Sequence, residues 1–437
     1  MLGKYQSPRW SGEITDCSMP MTFDQYDHCA YNCLYCFSWF QKSLKAFNPL
    51  FPHQQGTGYQ DTDLRSVNPA KIGKLFGLQY KDGSASGQFN EYIRQRIPMQ
   101  WGGLAEPFDT FEREHKVGLE CLKILAKHKY PLCFSTKAVW WTKDPEYVSL
   151  FKSQKQWNVK VSIINLSTER SSKMEMGVPP PRARLKAMER IAGWDCGGVT
   201  LRLRPFIIGF SDLGDEYLKL IRNASDMGAS AMSTEFFCLE DRAHRGTIAR
   251  YEEMSNIVGF DIHEFYKRSS PGHMGYLRLN YKMKTPYIRR MKNLCKELGM
   301  RFYVSDAHWK DQCDNGSCCG LGKDWNYFKG QYTEMLCIAK DRKDGKVYWS
   351  DMEPHMGMFK TFDYKYATGF NTTGSRVRTK YWNYTMYDWI KEIWNNPNQK
   401  KSPYMYFHGL FRPTGTDKNG DVVYKYRPYP DTGHIQL

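Results

Sequence analysis

From about residue 97 the sequence alternates short apolar runs with amphipathic stretches, and this rhythm narrows the chain to the α/β class. Segments 97–103, 131–137, 157–166, 198–209 and 229–237 are short and apolar, several of them β-branched or aromatic, as strands are. Between them, 111–130, 144–154, 181–194 and 211–228 have helical periodicity, with Leu119, Leu122, Ile124 and Leu125 on one side of the first. Asp144 followed by Pro145 is a helix start, an N-cap and then a ring already suited to the first turn. Strands alternating with helices imply βαβ units and a parallel sheet. Residues 38–96 break the rhythm. They are turn-rich, with one helix expected near 68–77, and read as an insertion after the first strand. Residues 249–300 read as helical, and 301–309 as a last strand. From 310 onward the chain is rich in Cys, Gly, Tyr and Trp and has little periodicity. The domain reading is therefore 1–240, an α/β unit; 241–309, a helical extension; and 310–437, a Cys-rich then basic and aromatic region.

A chain of 437 residues can bury a sizeable core. No apolar run approaches the roughly 18 residues of a membrane span. The stretch MLGKYQSPRWSGEITD lacks the apolar core of a signal peptide, so the expected compartment is the cytoplasm, with no membrane partner. In a reducing compartment, 13 cysteines argue against a disulfide framework and towards metal, redox or core roles. Lys plus Arg total 62 against 46 acids, a net charge of +16. That surplus points to a polyanionic partner such as nucleic acid, or to a plainly basic surface.

The main motif is DHCAYNCLYCF at 27–37, in which Cys29, Cys33 and Cys36 are spaced Cys-x3-Cys-x2-Cys. Three thiolates on one loop can hold three irons of a cubane cluster and leave the fourth iron open. Two other readings remain: a structural zinc, which needs a fourth ligand that adjacent His28 supplies poorly, or three core cysteines.

Cys-x3-Cys-x-aromatic-Cys followed by βα units resembles the radical S-adenosylmethionine superfamily. GGLAEPFDTFEREHKVGLECLKILAKH, FSTKAVWWTKDPEYVSLF and STERSSKMEMGVPPPRARLKAMERIAGWDCGGVTLRLRPFIIG are similar to its spore photoproduct lyase-like branch. The third carries Glu-x-Gly, Arg-Leu-x-Ala and Arg-Pro-x-Ile, and the likeness spans about residues 15–237. It implies a partial (β/α)6 barrel with a [4Fe-4S] cluster at the C-terminal strand ends, held by Cys29, Cys33 and Cys36. The open iron would chelate S-adenosylmethionine. Electron transfer, from a reductant such as flavodoxin or ferredoxin, would release a 5′-deoxyadenosyl radical that abstracts hydrogen from a substrate. The resemblance puts Tyr35 near the adenine and gives Gly102 and Gly103 to close backbone approach. It offers Glu106 to the cofactor ammonium, Lys137 to its carboxylate, Ser162 to a further contact, and Arg204 to the ribose or carboxylate. One departure stands out. Photoproduct lyases carry a hydrogen-returning cysteine at the end of the second strand, where this chain reads Trp-Gly-Gly-Leu-Ala.

A second group, Cys313, Cys318, Cys319 and Cys337, makes a full ligand set for an auxiliary iron–sulfur cluster or a structural zinc, with unligated thiols as the alternative. Asp306 and His308 lie just before it and are candidates to face it. The stretch 360–394 alternates cations with rings, a pattern able to neutralise phosphates and stack on bases, or simply to cover a barrel. The expected function is radical modification, isomerisation or repair of a nucleobase, free or within DNA or RNA. A thymine-derived base is favoured, and modification of phage DNA would fit. The alternatives are a radical enzyme acting on a peptide or small metabolite, and a non-catalytic, metal-stapled nucleic-acid-binding protein.

Overall fold

The computed structural model describes residues 2–10, 17–38, 63–81, 89–240, 245–270, 276–322, 324–328, 331–363 and 383–428. Its centre is one sheet of β1 (Arg9–Trp10), β2 (Met21–Phe23), β3 (Met99–Trp101), β4 (Leu132–Thr136), β5 (Trp157–Ser162), β6 (Val199–Phe206), β7 (Ala231–Phe236) and β8 (Arg301–Val304). The strands lie side by side in chain order. From β2 to β8 every neighbouring pair is parallel, while β1 runs antiparallel on the edge. Seven parallel strands are one more than the six of the expected barrel, because 301–304 joins the sheet beside β7. Among the described residues no pairing joins β8 back to β1, so the sheet is open.

The crossovers carry α1 (Pro69–Lys81), α2 (Thr110–His115), α3 (Val117–Lys127), α4 (Pro145–Lys152), α5 (Thr168–Met174), α6 (Pro181–Ala192) and α7 (Glu216–Asp226). The segment read as one helix over 111–130 is two. Its break falls at Lys116, whose φ is 52°. The cause is Glu112. Its buried carboxylate accepts from Gly118 N at 2.8 Å and Leu119 N at 2.7 Å, so it caps a new helix start instead of lying along an old one. The expected cap at Asp144 is present, accepting from Glu146 N at 3.0 Å. The expected insertion contains α1, while 39–62 and 82–88 lie outside the described residues. Beyond β7 come α8 (Arg245–Val258), α9 (Ile262–Ser269), α10 (Tyr281–Glu297), α11 (Gln331–Asp341) and α12 (Met386–Trp394). No helix of the described residues is long and apolar enough to cross a membrane.

The strand period of two sorts side chains onto two faces. Trp101, Phe134, Val159, Leu201, Met232 and Phe302 are buried in the core on one face. The other face is polar: Gln100 donates to Ser135 Oγ at 3.1 Å, Lys160 donates to Gln100 at 2.6 Å, and Arg202 donates to Ser162 Oγ at 3.4 Å. A closed (β/α)8 barrel fills its interior with branched apolar residues. Here the inner face instead carries hydrogen-bonding and charged groups, with apolar packing only at one end. There Cys319, Leu321 and Tyr327 bury themselves against Met19 and Cys133, near the N-terminal ends of the strands. Gly320, at φ 79°, fits because a Cβ there would stand 2.7 Å from Thr200 Oγ1. The C-terminal cysteine segment is thus a floor beneath the inner face.

Candidate active site

The three-cysteine loop follows β2 at the opposite end of the sheet from that floor. Asn32–Cys33 forms a short antiparallel ladder with Glu175–Met176, and Leu34 N donates to Met174 O at 3.0 Å. Tyr35 hydroxyl donates to Glu175, whose other oxygen accepts from Arg184 at 2.6 Å. Arg184 in turn donates to the Ser162 carbonyl at 2.8 Å. The Glu-x-Gly and Arg-Leu-x-Ala motifs are therefore one buried brace that ties the loop to the end of β5. Arg250 of α8 adds a second, donating to Asn32 Oδ1 at 2.8 Å and to the Cys33 carbonyl at 3.0 Å. Asp109 accepts from Ala30 N at 2.7 Å while capping α2. Asp27 accepts from Arg65 N at 2.8 Å and pairs with His28 at 2.6 Å. Asp27 thereby fixes the orientation of the His28 ring through Nδ1. Sequence reasoning misses Glu175, Arg184, Arg250 and Asp109. An acid and an arginine nine residues apart give no local signal that they meet.

Cys33 is buried, and Cys29 and Cys36 are partly exposed. Burial raises the Cys29 thiol well above its ordinary value, and charge on Asp109, Cys36 and Cys33 raises it further. Burial likewise pushes Cys33 up to about 12, with Lys137 pulling the other way. The three thiols thus lie within one another's electrostatic reach, beside a lysine.

The remaining predicted residues gather along the same strand ends. Gly102 has φ 79°, and a Cβ there would meet the Ser135 carbonyl at 2.8 Å and Pro107 Cδ at 2.9 Å. At Gly103 a Cβ would stand 3.0 Å from Arg9 Nη2 and 3.1 Å from Thr22 Cβ. At both glycines the close approach is to the protein's own atoms. Asp24 shapes their loop by accepting from Leu104 N at 2.8 Å and Ala105 N at 3.0 Å. Glu106 is buried, accepting from the Thr136 hydroxyl at 2.5 Å, Lys137 N at 2.7 Å and Phe108 N at 3.3 Å. Its carboxylate orients the start of the Lys137 loop. Lys137 Nζ stands 5.8 Å from the centre of the Tyr35 ring. Ser162, the last residue of β5, is buried beneath Arg202. Arg204 pairs with Glu235 and donates to Ser305 Oγ at 2.9 Å. Ser135, Lys137, Arg202, Arg204 and Glu235 each keep part of their surface open to solvent.

The second cysteine group does not assemble as expected. Among the described residues no group of three or more His, Cys, Asp and Glu side chains is arranged to hold a metal ion. Cys318 and Cys319 Sγ atoms are 3.8 Å apart in the floor of the sheet. Cys313 is engaged with β8, donating to the Val304 carbonyl at 3.1 Å. Cys337 lies on α11 among Glu334, Asp311 and Asp341. Asp306 and His308 turn away as well. Asp306 forms a buried pair with Lys284 and accepts from Phe236 N at 3.1 Å, and His308 Nε2 donates to the Phe407 carbonyl at 3.2 Å. Of the basic, aromatic stretch, 364–382 lies outside the described residues. In the described part Trp389 and Trp394 are 4% and 1% exposed, so these rings are core and unavailable for stacking on bases.

No protein-family model and no curated protein matches the chain. Among solved structures, spore photoproduct lyase complexed with dinucleoside spore photoproduct is similar in fold. The TM-score is 0.50, the identity 15%, and the match covers 69% of this chain and 80% of that one. A variant of spore photoproduct lyase with bound AdoMet and the same dinucleoside gives a TM-score of 0.49 at 13% identity, with the same coverage. Streptococcus suis SuiB bound to its precursor peptide gives 0.39 at 13% identity, covering 69% of this chain and 52% of that one. At 15% identity the likeness to the first of these is one of fold. An α/β fold with a parallel sheet, similar to that of spore photoproduct lyase, thus accompanies the radical S-adenosylmethionine resemblance carried by the motifs.

Proposed function

We propose that this protein is a radical S-adenosylmethionine enzyme acting on a nucleobase, with a thymine-derived base as the favoured substrate. The observation that carries the reading is the grouping of Cys29, Cys33 and Cys36 on one braced loop at the C-terminal end of a parallel sheet. Ligands bind at that end in α/β folds. Cys29, Cys33 and Cys36 act on one another electrostatically across that loop, as thiolates of one cluster would. The donor set thus fits three irons of a [4Fe-4S] cluster. Such a cluster, reduced by a flavodoxin or ferredoxin, supplies the electron that cleaves S-adenosylmethionine to a 5′-deoxyadenosyl radical.

The chain's own residues supply the rest. Tyr35, locked by Glu175, forms a wall of the site, and Lys137 presents its ammonium beside it for the cofactor carboxylate. Gly102 and Gly103 let the backbone come close where a side chain would block it. Ser162 and Arg204 border the space between this loop and the inner face. The polar inner face is read as the substrate chamber, and the floor shields it from bulk water at the far end. Anaerobic incubation with iron, sulfide, reductant and S-adenosylmethionine tests the reading. Wild type is expected to yield 5′-deoxyadenosine and a brown chromophore, and Cys29→Ala, Cys33→Ala and Cys36→Ala neither. Undiminished cleavage in these variants would sink the assignment.

A further inference from the structure

The inner face of the sheet holds more positive charge than its own residues neutralise. Lys160 is only 4% exposed, and its ammonium donates to the neutral Gln100 amide at 2.6 Å. Arg202 donates to Ser162 Oγ at 3.4 Å and to its own strand's Arg204 carbonyl at 3.3 Å. Among the described residues neither is ion-paired with a carboxylate. The acids nearby are committed elsewhere. Glu235 pairs with Arg204, and Glu106 is held by two donors at the end of β4 and by Phe108 N of its own loop.

The thiols do not make up the difference. Burial pushes Cys133 up, so it stays neutral beside Lys160. Cys318 and Cys319 stand too close for both to ionise. The hydrogen bond from Cys319 lowers Cys318, helped by Lys310 and Arg204, and that same bond together with burial keeps Cys319 protonated. Any thiolate there therefore answers Lys310 and Arg204. Burial and the neighbouring Arg204 pull Arg202 down to about 10. That is the mark of a cation held without its counter-charge, a costly arrangement that a bound anion relieves.

Register separates Lys160 from the residues read as holding the cofactor, while Arg202 stands between the two levels through Ser162. Ser135 pairs across from Lys160, and Ser162 from Arg202. Lys160 is therefore one inward-facing position, roughly 6.6 Å, deeper than Ser162 and Lys137. Its neighbours are floor and sheet, not the cysteine loop.

We propose that Lys160 and Arg202 form an anion subsite within the substrate chamber, binding a phosphate or carboxylate group that the substrate itself carries. This rests on the reading of the inner face as the reaction chamber, and it narrows the substrate class to anionic molecules that insert a charged end into the sheet. Each cation makes charge-assisted bonds to the group, and the fork of Arg202 suits two of its oxygens.

Binding to the anaerobically purified protein, measured by calorimetry at low salt, tests this without turnover. Two matched pairs serve as probes: thymidine 5′-monophosphate against thymidine, and a tetrapeptide with a free terminal carboxylate against its amide. One charged member is expected to bind at least about tenfold tighter than its neutral partner, and which pair does so identifies the source of the anion. Lys160→Met and Arg202→Gln should erase that preference, while Lys160→Arg should keep it. Thermal melts followed by circular dichroism verify that each variant is folded, and if Lys160→Met is not, Arg202→Gln and Lys160→Arg decide the matter. Equal binding within both pairs overturns the subsite. So does a Lys160→Met protein that keeps the preference and loses S-adenosylmethionine affinity instead, since the cation then belongs to the cofactor. Failure here leaves 5′-deoxyadenosine formation intact, whereas failure of the radical reading removes it.

Discussion

At the scale of single residues, the site is held by charges buried in pairs. Glu175 and Arg184 have side chains 0% and 1% exposed, and between them they connect Tyr35 to the Ser162 carbonyl. Such a pair adds little net stability, yet breaking it is expensive, because the surviving charge stays buried without a partner. Arg184→Met should therefore lower unfolding stability by about 3–5 kcal/mol in denaturant titration. Adding Glu175→Gln to that variant should recover part of the loss. If the single substitution costs nothing, the brace does not hold the loop. Gly102 shows a different economy. Its positive φ and its 2.8 Å clearance to the Ser135 carbonyl both exclude a side chain.

At the scale of elements, the C-terminal region acts through packing. His308, in the turn after β8, is buried and donates to the Phe407 carbonyl. Burial and the nearby Lys284 lower it from 6.5 to about 3, so the fold holds it neutral. Between those two values the unfolded chain binds a proton that the folded chain refuses. Stability contributed by this group is therefore present above pH 6.5 and lost as the pH falls towards 3, at about 1.4 kcal/mol per pH unit. His308→Gln can still donate to Phe407 and should flatten the stability-against-pH slope between pH 6 and 4 by one proton's worth. Identical slopes would mean that His308 is not held neutral. The cysteines of this region give a second expectation. Cys313 is bonded to β8, and Cys337 sits apart on α11. Cys313→Ser and Cys337→Ser should thus leave iron and zinc content unchanged by elemental analysis, and a loss of one metal equivalent would restore the auxiliary site.

At the scale of the whole molecule, the open parallel sheet has two differently finished ends. One carries the cysteine loop, held by α8 and by the brace through Glu175. The other is closed by residues 317–322 and 324–328, returning from far along the chain: Ser317 meets Ser18 at 2.9 Å, across 299 positions. Between them lies a face whose charge is uneven, with Arg204 compensated by Glu235 and Lys160 and Arg202 left for a ligand. The net charge of +16 thereby gains a local part inside the fold, distinct from whatever its surface attracts. The tryptophans of α12 belong to the core, which removes these two rings from any base-stacking role.

Much of this architecture is legible in the sequence. The order of strands and helices, the cap at Asp144, and the glycines at 102 and 103 follow from period, capping chemistry and steric need, all properties of short segments. The three-cysteine loop is equally local, since its residues are neighbours in the chain. The helix break at Lys116 is not legible in this way, because Glu112 reads as one more helical acid until Tyr26 and Tyr147 close around its carboxylate. Nor can sequence sort the later cysteines. Four thiols within 25 residues make a plausible ligand set on paper, but strand pairing and side-chain packing send them to different places. Register alone sets Gln100, Ser135, Lys160 and Arg202 on one face of the sheet, though about a hundred residues separate the first from the last. Local pattern determined which elements form and which loop carries the thiols. The tertiary sheet decided which charges face each other, because electrostatic compensation depends on distance in space and not on distance along the chain.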